Sequence, residues 1–96
     1  MFFLQTTPDD VWGVPSATAK VDELLTRHHG RLMDSSEPEP RADEVQVVQL
    51  LDRRYAFKAV QNAVEFWGAL LTDIPPLIGK DIWAGLFGRT APVAAR

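Results

Sequence analysis

Residues 43–72 read DEVQVVQLLDRRYAFKAVQNAVEFWGALLT, and the way this stretch folds decides the architecture of the chain. Its apolar residues recur at spacings of three and four. One stripe runs through Val45, Val48, Leu51, Tyr55, Ala59, Ala63, Phe66 and Leu70, and a second through Val47, Leu50, Phe57, Val60, Val64, Trp67 and Leu71. That periodicity is the signature of an α-helix with two apolar faces. Asp43 and Gln46 stand at the spacing of a capping box in front of it, and Asp73-Ile74-Pro75-Pro76 stops it, because proline disfavours the α conformation in the residue before it. The β-branched content of Val45–Leu51 also suits a strand, but the helical spacing continues unbroken to Leu71 and outweighs it. The reading contains a conflict of length. Thirty helical residues would reach about 45 Å, whereas a folded chain of this size has a radius of gyration of roughly 12–13 Å. Either the helix breaks, near Arg53-Arg54 or at Gly68, or its second face is covered by another molecule.

Outward from this segment, the pattern predicts an all-α fold in one domain, residues 1–96, with two principal antiparallel helices at about 16–30 and 43–72. In the first helix Ala17, Val21, Leu24, Leu25, His28 and Leu32 form the apolar stripe, Ser16 is the N-cap, and Gly30 suits a left-handed C-terminal position. Thr7-Pro8-Asp9-Asp10 reads as the start of a short helix, with proline at the first position and acids at the positive end. Residues 1–6 are expected to be an extended arm, with an edge strand over Met1–Gln5 as the alternative, and 34–42, with two prolines and few apolar groups, a mobile loop. A short helix carrying Ile82, Trp83, Leu86 and Phe87 follows the Pro-Pro hinge, and 90–96 is expected to fray.

Composition excludes several function classes. A formal net charge of −3 does not provide the cationic field on which nucleic-acid affinity rests. With no cysteine there is neither thiolate chemistry nor a sulfur-based zinc site. The apolar runs 66–72 and 82–88 fall short of the roughly 18–20 residues that cross a bilayer, and Met1-Phe2-Phe3-Leu4 lacks the basic flank of a signal peptide. His28 and His29, adjacent on one helix, diverge too far to chelate one metal, and no carboxylate three or four residues away orients either ring. Ser16, Ser35 and Ser36 occupy a cap and a loop rather than a nucleophile elbow, and 74–81 lacks the leading glycine and final hydroxyl of a phosphate loop. No catalytic, cofactor-binding or metal-ligating set emerges.

What emerges instead is a surface. The second stripe and the terminal helix supply a candidate interface of Val47, Leu50, Phe57, Val64, Trp67, Ile82, Trp83, Leu86 and Phe87, rich in the large anchors that dominate binding hot spots. Arg53, Arg54 and Lys58 form the basic cluster, a candidate patch for an anion or an acidic partner. The sequence thus points to an acidic, non-enzymatic protein–protein interaction protein of adaptor, assembly or inhibitor type. Its expected partner is another protein or a second copy of itself, and its expected location is the cytoplasm, or a virion if the chain is phage-encoded. The alternatives are a non-catalytic accessory subunit of a larger enzyme and a small helical bundle that binds an apolar ligand.

Overall fold

The computed structural model describes residues 7–86 together with the strand at 90–94. It overturns the all-α expectation. In chain order the elements are α1 (Pro8–Trp12), α2 (Pro15–Arg27), β1 (Arg31–Leu32), β2 (Gln46–Leu50), β3 (Arg53–Phe57), α3 (Val60–Asp73), α4 (Pro75–Ile78), α5 (Lys80–Leu86) and β4 (Thr90–Ala94). The strands form one antiparallel sheet in the order β1-β3-β2-β4. The fold is therefore mixed, with helices packed on a sheet.

The expected 43–72 helix is two things. Its first half is the β2–β3 hairpin, with Val48 opposite Tyr55 and Leu50 opposite Arg53 across a two-residue turn, Leu51-Asp52. Its second half is α3, whose 14 residues span about 21 Å, and this removes the conflict of length. Neither expected break site is a helix break: Arg53-Arg54 lies inside β3, Gly68 lies inside α3, and strand gives way to helix at Lys58-Ala59. Helical spacing misleads here for a physical reason. A strand with one solvated face alternates with period two, but Val47 and Val48 are both buried because both sheet faces are covered at that point. The alternation is erased, and what remains of the apolar pattern mimics threes and fours.

Leu51 sits at φ 57°, a left-handed conformation that costs a branched residue about 1 kcal/mol or more. Its side chain is nonetheless buried against the main core, and that burial offsets the strain. On the inner sheet face Val48, Leu50, Tyr55 and Phe57 meet Val21 and Leu24 of α2, Ala63, Phe66 and Leu70 of α3, and Leu86 of α5. Phe66 lies between two ring neighbours, edge-on to Tyr55 at 5.4 Å and tilted against Phe57 at 5.2 Å.

Two further expectations change. The glycine after α2 is required by packing and not by a left-handed backbone. His29 takes the positive φ of 59°, while a Cβ at Gly30 would lie 2.4 Å from Leu25 and 2.5 Å from the Phe57 ring. The chain at 90–94 is a strand paired along β2, not a frayed end, and the expected arm at 1–6 lies outside the described residues.

Candidate functional site

The 34–42 segment, expected to be mobile, is stapled across the outer sheet face. Arg31 of β1 grips Glu44 with one edge of its guanidinium, Nε donating to Oε2 at 2.9 Å and Nη2 to Oε1 at 2.7 Å. The same group donates to both Glu37 oxygens at 2.9 and 3.1 Å. Glu44 also accepts the Arg41 backbone N–H at 2.8 Å, and Glu37 accepts that of Asp34 at 2.8 Å. Arg54 donates to the carbonyls of Glu37 and Pro38. Beneath this layer Met33, Val47 and Ala56 make a small second core. Hydrogen bonding to Arg31 holds the Glu37 carboxyl down at about 2 and also lowers Glu44, where burial opposes the shift.

At the far end of the hairpin, α1 is pinned by its tryptophan. The Trp12 indole Nε1–H donates to Asp52 at 2.9 Å, and the Arg53 guanidinium lies over the ring, its central carbon 3.9 Å from the ring centre. Arg53 and Arg54, neighbours on β3, make different contacts, Arg53 with the Trp12 ring and Arg54 with the Glu37 and Pro38 carbonyls, while both border the cleft at the turn. Lys58 is exposed and paired with Asp43 at 3.2 Å. A cleft of about 320 Å³ opens beside the turn, between residues 32–35 and 52–54.

The predicted interface residues separate in the same way. Leu50, Phe57 and Leu86 have no exposed surface, and Val47 lies in the second core. These four are structural, and their apolar character reflects the interior. Trp67, Ile82 and Trp83 are partly buried and pack against the main core, and Phe87 lies outside the described residues. Only Val64 stands out to solvent, at 51% exposure, and Val60 one turn earlier is 52% exposed. Gly68 continues that line with open space around it. The exposed line of α3 is thus what the second stripe becomes once the first stripe, Ala63-Phe66-Leu70, is buried against the sheet.

The sheet edges offer less. Met33 N–H donates to the Arg54 carbonyl at 2.8 Å, so the backbone of Arg54 faces β1 and that of Tyr55 faces β2. By alternation, the backbone of Val48 faces β3, and Pro92, its partner on β4, turns its nitrogen away from β2. Among the described residues, a proline there removes the central outward donor of the β4 edge, and β1 on the other side has two residues, so both edges are poor templates for strand addition.

Sequence reasoning missed three long-range contacts. Arg31–Glu44 spans 13 residues, Trp12–Asp52 spans 40, and His28 Nδ1 lies 3.8 Å from a Glu65 oxygen on α3. No local spacing encodes such pairs, and the Glu65 carboxylate beside His28 belongs to a different helix. Among the described residues no group of three or more His, Cys, Asp or Glu side chains is placed to hold a metal ion, and no helix is long and apolar enough to cross a membrane. Comparisons of the chain with protein-family models, with curated proteins and with solved structures find no match.

Proposed function

We propose that this chain is a non-enzymatic protein–protein interaction protein of the adaptor, assembly or inhibitor type, acting in the cytoplasm or in a virion, with the outer face of α3 as its contact surface. The observation that carries the reading is the pair Val60 and Val64, half-exposed one turn apart on a helix whose other face is fully committed to the core. Apolar side chains lost from water on association contribute about 25 cal/mol per Å² buried. Gly68, next on the same line, would let a partner's backbone come close at no steric cost. Blunted sheet edges support the same assignment, since they leave a helix face as the more available contact.

The test is the solution mass of the wild type and of Val60→Lys/Val64→Lys across a hundredfold concentration range, with helicity followed in parallel. Self-association in the wild type that the double variant loses at unchanged helicity supports the α3 face as a self-interface. If the wild type stays monomeric, the variant is compared with it in capture from the native source. A protein retained by the wild type and lost with the variant supports a heterologous partner, and equal retention by both, or none by either, overturns the assignment.

A further inference from the structure

We infer that the cleft beside the β2–β3 turn is a binding site for a single carboxylate carried next to an apolar group, as in an acidic peptide segment or a chain terminus, with Arg53 as its anchor. The inference is independent of the α3 reading, because it rests on different elements and different residues. Three observations lead to it. First, the cleft has a volume of about 320 Å³, room for one or two side chains, and Arg53, Arg54 and Ser35 line it beside the apolar Leu32 and Met33.

Second, Arg53 has a cation's geometry without a cation's usual partner. Arg27, Arg31, Lys20 and Lys58 each reach a carboxylate within 4.0 Å; among the described residues Arg41, Arg53, Arg54 and Lys80 reach none, and of these Arg53 is the one that lies over an indole at the cleft. Arg53 is half-buried, with its guanidinium carbon over the Trp12 ring at 3.9 Å, and Trp12 is itself bonded to Asp52. Contact with the indole restrains the guanidinium, and those of its N–H donors not turned toward the Tyr55 hydroxyl meet no carboxylate among the described residues, leaving them for a planar carboxylate ligand. Little ordering entropy then remains to be lost on binding.

Third, the carboxylates at the cleft restrict the charge it accepts. Asp34 is committed internally, its Oδ1 accepting from the Ser36 N–H and hydroxyl at 3.0 Å each, and Asp52 is bonded to the Trp12 indole. Both stay near the opening as fixed negative charge, so a dianion is repelled more strongly than a monoanion. Leu32, 47% exposed, offers contact to the apolar neighbour of the bound carboxylate.

The experiment follows the Trp12 indole N–H by ¹⁵N NMR, assigned through Trp12→Phe, while N-acetyl-leucine, N-acetyl-leucinamide and inorganic phosphate are titrated in turn. N-acetyl-leucine is expected to shift the signal saturably and the uncharged amide to leave it in place. In Arg53→Met, checked for a cooperative melt, the affinity should fall about tenfold or more, as expected for the loss of one charge-assisted hydrogen bond. If that variant does not fold, Arg53→Lys takes its place, and weaker binding there counts in the same direction, because lysine keeps the charge but loses the planar fork. The proposal is overturned if no saturable shift occurs, if the amide acts as the acid does, if phosphate binds as well as the carboxylate, or if the folded Arg53 variant retains full affinity.

Discussion

Replacing Glu44 by glutamine tests whether the outer layer holds the sheet or merely lies on it. The Glu44 carboxylate is 5% exposed and accepts three hydrogen bonds, two from Arg31 and one from the Arg41 backbone. A glutamine whose carbonyl oxygen replaces Oε1 keeps the bonds from Arg31 Nη2 and Arg41, but as a neutral acceptor. Its amide nitrogen then confronts the Arg31 Nε–H, donor against donor. One bond worth about 1.5–3 kcal/mol is lost, and two others are each reduced by about 1 kcal/mol. Arg31 is a quarter exposed and keeps Glu37, so water and the remaining partner return part of that sum. The expected net cost is about 2–3 kcal/mol at pH 7, a large share of a typical stability of about 5–15 kcal/mol. Urea unfolding followed by far-UV circular dichroism measures it.

The acid limb supplies the second readout for this variant. Glu37 at about 2, and Glu44 also below the ordinary 4.5, are depressed in the folded state. Their contribution is therefore whole above about pH 4.5 and is lost as the pH falls through the folded-state values. Wild-type stability should decline over that interval, and Glu44→Gln should decline less, so the difference between them narrows toward pH 2. A cost below about 0.5 kcal/mol at pH 7, with parallel acid limbs, would refute the reasoning, since an ion pair with solvent access contributes that little.

Three further substitutions test individual contacts. Tyr55→Phe removes a buried hydroxyl that lies beside Arg53 without a hydrogen bond of good geometry, and whose phenol is pushed up by burial against the opposing charge and weak hydrogen bonding of Arg53. Chemical denaturation should show it neutral or stabilising by up to about 1 kcal/mol, and a loss of that size would mean the hydroxyl is in fact satisfied. Gly30→Ala forces a methyl group into Leu25 and Phe57, and thermal unfolding should report a loss of about 1–3 kcal/mol; an unchanged midpoint would show that the ring yields freely. Gly68→Ala meets nothing within 4 Å on an exposed helix position, so it should stabilise the isolated chain by about 0.5–1 kcal/mol in the same assay, and a loss would place an unseen neighbour there.

Local chemistry was legible wherever a neighbour in sequence decides the outcome. Thr7-Pro8-Asp9-Asp10 encodes the start of α1, where Asp10 accepts the Thr7 N–H at 2.7 Å, and Pro75-Pro76 ends α3. The i,i+4 spacing of Glu23 and Arg27 gives the ion pair seen at 2.9 Å. The core stripe Ala63-Phe66-Leu70 was visible as periodicity, because an isolated amphipathic helix writes its burial into one period.

Tertiary structure decided the rest. Whether Val45–Phe57 pairs as a hairpin depends on β1, β4 and the loop over its outer face, all distant in sequence, and covering both faces removes the alternation that marks a strand. The same long-range cover settled which apolar residues are surface. Leu50 and Phe57 share a stripe with Val64, yet the sheet buries the first two and leaves the third in water. Composition and spacing determine that a residue seeks burial; only the packing of remote segments determines whether this chain supplies it, because the contact that removes water from a side chain is made in space and not along the sequence.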